Sequence, residues 1–65
     1  MPINVTKIKI IMGDKDINNK ELAKRMNKKE SQISKLFKRK NPRPSTVKQL
    51  ADALGVEPLE IVKEE

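Results

Sequence analysis

Two apolar stripes, each too short to hold a helix by itself, lie close together between Asn18 and Lys38 and constrain this chain more than any other stretch. Leu22, Ala23 and Met26 fall at i, i+1 and i+4, and Ile33, Leu36 and Phe37 at i, i+3 and i+4, so each segment predicts a short helix with one buried side. Isolated helices of fewer than about 12 residues are marginal in water. The two must therefore bury their stripes against each other and the rest of the chain. Between them stands Asn27, a residue type that enters the left-handed conformation of a sharp post-helical corner more readily than any except Gly. Ala23 suits the same corner, because a small side chain lets the second helix cross close over the first.

The remaining segments read as helices packed around this pair. Val5, Ile8 and Met12, with Ile11 beside them, predict a first helix over residues 4 to 13. The β-branched residues at 8, 10 and 11 and the alternation Ile8-Lys9-Ile10 argue locally for a strand. Gly13 to Asp16 should end that helix and start a loop, with Ile17 tucked into the core. Asn18 is a suitable N-cap for the second helix, and Glu21 stands where a reciprocal capping-box partner would. The third helix should begin at Lys29 or Glu30. Two prolines, Pro42 and Pro44, stop it and stiffen the following loop. Ser45 or Thr46 is the expected cap of a fourth helix, with Gln49 as box partner for Thr46. Val47, Leu50, Ala51 and Leu54 form its stripe, and Gly55 ends it. Glu57-Pro58 opens a last short helix from which Leu59 and Val62 can reach the core, and residues 63–65 should fray.

At 65 residues, the chain allows one small domain, which buries about 60% of its unfolded surface and has a stability of a few kcal/mol. With no Cys and no His, neither a disulfide nor a structural zinc site is available. No apolar run approaches the about 18 residues of a membrane span, and the first twelve residues do not read as a signal peptide. A soluble, cytoplasmic protein is expected. Without His, Cys or Tyr, and with scattered carboxylates, the chain offers no nucleophile and base pair, so no enzyme activity is expected.

The net charge of +6 is unevenly placed. From Lys20 to Arg43 ten Lys or Arg residues face only Glu21 and Glu30, a local net of +8, while the other residues carry five basic and seven acidic side chains. That concentration points to a polyanion docking on residues 20–43; a Lys-rich solvated surface is the blander alternative.

The sequence of small residue, corner and spaced apolar positions (Leu22, Ala23, Met26, Asn27, Ile33, Leu36) resembles the helix-turn-helix of the Cro and lambdoid-repressor, or XRE, family. Pro44, Leu50, Ala51, Leu54, Gly55 and Val56 resemble that family's fourth helix and its exit, and residues 4 to 62 can be laid on it without a gap. The resemblance implies an all-α, compact five-helix domain of the lambda-repressor-like type. It spans residues 1–65 as a single domain with its motif at about 18–38. It also implies a transcriptional regulator of the phage-repressor type, binding double-stranded DNA as a weak homodimer on an inverted repeat. No cofactor, metal or small-molecule substrate is implied.

Carried over by position, the base-reading residues are Glu30, Ser31, Ser34 and Lys35 at the start and on the exposed face of the recognition helix, about 30–38. A carboxylate accepts from cytosine N4, an ammonium donates to guanine O6 and N7, and a hydroxyl meets several base edges. Gln32 has the chemistry for adenine but sits on the helix shoulder. Glu30 has a second role open to it at a helix N-terminus, stabilising the dipole, and Ser31 and Ser34 have that of small residues allowing deep insertion. Asn19, Lys28, Lys38, Arg39, Lys40 and Arg43 are the phosphate contacts, with Arg43 also able to reach a minor groove.

Four positions depart from the family pattern. Lys28 replaces the usual apolar residue after the corner, and Lys29 the usual Ser or Thr cap. Met12 and Phe37 stand where many relatives carry an Arg–Glu pair, predicting an apolar contact instead. Val56, Leu59 and Ile61 are the expected dimer surface. An antitoxin or adapter with a protein partner and autoregulatory DNA binding is the alternative function. A membrane-surface role is disfavoured because Phe37 is the only aromatic residue.

Overall fold

The computed structural model describes residues 2–39 and 41–63. Four α-helices follow one another: α1 (Val5–Asp14), α2 (Asn19–Arg25), α3 (Glu30–Lys38) and α4 (Pro44–Leu54). The stripes read from the sequence become one core. Ile8, Met12, Ile17, Leu22, Ala23, Ile33, Leu36, Val47, Leu50, Ala51 and Leu54 are all buried in it. Met26, Phe37, Val56 and Val62 pack against its edge. Met12 and Phe37 thus share one apolar cluster. In α1 the helical stripe overrides the strand preference, since Ile8 and Met12 are buried while Ile10, opposite them, is 65% exposed. Among the described residues no helix is long and apolar enough to cross a membrane.

Three helices end in the same way. Asp16, Asn27 and Gly55 have φ of 58°, 57° and 71°. After each, the next residue's N–H reaches back five positions: Ile17 to the Met12 carbonyl at 2.7 Å, Lys28 to Ala23 at 2.8 Å, Val56 to Ala51 at 3.0 Å. The left-handed residues themselves donate to Gly13, Lys24 and Asp52. This pair of bonds is the Schellman ending, which satisfies carbonyls that a helix terminus otherwise leaves open. The residue after the left-handed position normally turns inward. Ile17 is buried and Val56 half-buried, whereas Lys28 is exposed, so the apolar contact is given up at the helix-turn-helix corner.

Several expectations are corrected. The fifth helix is a single 3-10 turn, Pro58–Glu60. With three residues per turn, Pro58 and Ile61 share one side; Ile61 is fully buried and Leu59 is left 79% exposed rather than in the core. Immediately after it, Ile3 and Val62 form an antiparallel bridge, in which Asn4 N–H donates to the Ile61 carbonyl and Lys63 N–H to that of Pro2. Lys63 is therefore tied down rather than frayed; Glu64 and Glu65 lie outside the described residues. At α4 the N-cap is Arg43 with Pro44 in the first turn and no side-chain cap, so neither Ser45 nor Thr46 caps it. The fixed φ of Pro44 starts the helix two or three residues earlier than a Ser45 or Thr46 cap would. Asn18 does cap α2, its Oδ1 accepting from Glu21 N–H at 2.8 Å. The Glu21 carboxylate, however, turns to Arg25 instead of closing the box.

Candidate nucleic-acid interface

The geometry of the basic region follows from how α2 and α3 are locked. α2 is only seven residues long and depends on tertiary contact for its helicity. Leu22 and Ala23 supply that contact from inside. From outside, Arg25 Nη1 donates to the Ala53 carbonyl at 3.2 Å, and its Nε pairs with Glu21 at 3.3 Å. Arg25 is therefore engaged in holding α2 to the end of α4.

α3 buries Ile33 and Leu36 and exposes Glu30, Ser31, Gln32, Ser34, Lys35 and Lys38. Among the described residues no hydrogen bond or ion pair within the protein holds the side chains of Glu30, Ser31, Ser34 or Lys35, so their donors and acceptors stand ready for a ligand. The structure brings Lys28, Lys35 and Arg39 together along a groove of about 270 Å³, with Gln32 and Thr46 beside them and Leu36 at its base. Asn19 and Glu30 line a second depression at the start of α2, with Lys20 and Lys9. Lys38 is exposed on the last turn of α3. Arg43 is positioned by its neighbours: Pro42 is fully buried and Pro44 begins α4, which leaves the Arg43 side chain exposed between two anchored residues. Lys40 lies outside the described residues.

Electrostatically, this face is not neutralised from within. The Arg25–Glu21 pair is the one salt bridge among the described residues, so Lys20, Lys24, Lys28, Lys29, Lys35, Lys38, Arg39 and Arg43 carry their charge into solvent. Two of these cations also stand where they are locally unfavourable. Lys29 and Arg43 are the N-caps of α3 and α4, neither with a side-chain cap. A helix N-terminus favours Ser, Thr, Asp or Asn and repels positive charge, at a cost of about 1 kcal/mol per helix. A surface that sets aside local stability in this way is organised for a polyanion.

Residues 7–64 match the sequence profile of the Cro/C1-type HTH DNA-binding domain. The chain belongs to that family. It is a DNA-binding helix-turn-helix domain of transcription regulation, with α2 and α3 as the motif. No curated protein and no solved structure matches the chain.

Within this Cro/C1-type domain, sequence reading names neither Lys20 nor Thr46 among the DNA contacts and leaves Gln32 on the shoulder of α3. Lys20 joins the depression beside Asn19 and Glu30, and Thr46 the groove of Lys28, Lys35 and Arg39, only through tertiary packing. Gln32 had a signal: Gln32, Lys35, Leu36 and Arg39 fall at i, i+3, i+4 and i+7, a second stripe on the flank of α3. Conversely, Arg25 contributes to the basic count but serves the fold. Arg25→Ala is expected to cost about 1 kcal/mol, since its ion pair is solvent-screened and the bond to α4 is the larger part. In thermal unfolding that is a fall of about 4–8 °C. The salt dependence of DNA binding should not change.

Proposed function

We propose that this domain acts as a phage-type repressor, binding an inverted repeat as a dimer with α3 in the major groove. Glu30, Ser31, Ser34 and Lys35 read base edges. Asn19, Lys28, Lys38, Arg39 and Arg43 hold phosphates, with Lys40 from the same loop. The observation that carries this reading is the pairing of an unengaged, small and polar α3 face with flanking cations that have no internal partner. Phosphate contacts set the register, and the base edges are then read by side chains that no intramolecular bond holds. A single domain of this size buries little surface on DNA, which favours two copies. With Ile61 in the core, the surface available for pairing reduces to Leu59 and the half-buried Val56. The same exposed Leu59, between Glu57 and Glu60, also suits the second reading, an adapter or antitoxin whose main partner is another protein.

Selection of binding sites from a random duplex pool at about 150 mM salt tests the repressor reading. The expected result is an enriched inverted repeat with half-site centres about one helical turn apart, roughly 34 Å. Binding without enrichment would sink it, as would a single unrepeated half-site bound by one copy.

A further inference from the structure

Gln32 is placed to do two things at once. Its Oε1 accepts the Lys29 backbone N–H at 2.9 Å. This is one half of a capping box; the other half, an N-cap side chain accepting from the first turn of α3, is missing because the Lys29 side chain has no acceptor. Because a backbone N–H can only donate, that bond fixes which end of the amide is oxygen. The oxygen is turned back onto the first turn of α3. The amino group, with two N–H donors, is the end left for a ligand, and the residue is exposed on the groove shared by Lys28, Lys35 and Arg39.

A free glutamine side chain reads adenine by accepting from N6 and donating to N7 together, whereas guanine presents two acceptors, O6 and N7, in the major groove. A glutamine whose oxygen already caps its own helix has lost half of the adenine pair and kept what guanine needs. We propose that Gln32 is a specificity-determining residue that presents donors only and selects guanine. The same side chain closes the first turn of α3 and reads the base. The inference rests on α3 lying in the major groove, as proposed above.

The test is duplex selection repeated with Gln32→Glu and Gln32→Ala, alongside thermal unfolding of each variant. Glutamate keeps the capping acceptor and adds a charge that a helix N-terminus favours, but it has no donor. The expected result for Gln32→Glu is an unchanged melting temperature with a loss of about tenfold in preference for guanine at one base pair, replaced by cytosine, whose N4 donates to a carboxylate. Gln32→Ala should lose both the guanine preference and several degrees of melting temperature. Base preferences unmoved by Gln32→Glu would overturn the assignment, leaving Gln32 as a cap alone. So would adenine or thymine at the position that changes, or a uniform weakening across all sequences, which marks a phosphate contact. A wild-type protein that enriches no sequence would overturn the repressor reading and this assignment together, whereas an enriched repeat indifferent to Gln32 overturns only the latter.

Discussion

Leu22→Ala is expected to remove most of the stability of this domain. Leu22 is fully buried in a helix of seven residues, where no length of hydrogen-bonded backbone compensates for lost packing. Deleting a buried leucine side chain costs about 2.7–5 kcal/mol in transfer free energy and cavity formation. A chain of this length has about 3–5 kcal/mol to lose, and no disulfide or metal cluster is present among the described residues to hold it. The melting temperature should fall by roughly 15–25 °C, at about 4–8 °C per kcal/mol for a domain of this size. DNA binding should fall with it at 37 °C, since α3 is held in place through α2. The comparison is Leu59→Ala, at a residue 79% exposed, which should change monomer stability by no more than about 0.5 kcal/mol. Circular-dichroism melts of the two variants decide the matter. Equal, small effects would mean that the packing of α2 is not what holds the motif.

The second large effect is that of salt on DNA affinity. If about five phosphates are neutralised per subunit, the logarithm of affinity falls with the logarithm of salt concentration at a slope near −4 to −5 per subunit. A dimer should then lose about 10⁵ in affinity between about 50 and 200 mM salt. The unpaired state of the α3 and loop cations makes this specific to named residues. Arg43→Ala should weaken binding across sequences and flatten the slope by about 1, whereas Arg25→Ala, removing a guanidinium already bonded to Glu21 and Ala53, should leave the slope as it is. Titrations by fluorescence anisotropy at four or five salt concentrations measure this directly. A slope unchanged by Arg43→Ala would remove that residue from the interface.

Periodicity carried most of the architecture, because an apolar stripe has one low-energy use in water. The residues at helical spacing along α1 to α4 went to the core as read, and the corner at Asn27 and the ending at Gly55 were legible because few residue types tolerate φ near +60°. Asp16 escaped notice at the third such ending: Gly13 nearby was the stronger local signal, yet it lies inside α1. The N-terminus of α4 was misplaced for a related reason. Ser45 and Thr46 have the better capping chemistry, but buried Pro42 and the fixed φ of Pro44 determine where the chain enters the helix.

By itself the sequence determined the helical class, the corner of the motif and the concentration of positive charge, since these depend on spacing and composition along the chain. Only the tertiary structure decided which charges are spent internally and which remain for a ligand. Arg25 and Arg43 have the same side chain in the same basic stretch, but one meets the carboxyl end of α4 and the other stands in solvent. Likewise Leu59 and Ile61 are both aliphatic residues of the closing turn; a 3-10 geometry of three residues per turn, set against the Ile3–Val62 bridge, buries the second and exposes the first. Partners of this kind are far apart in sequence, and no local pattern encodes which of two similar side chains will find one.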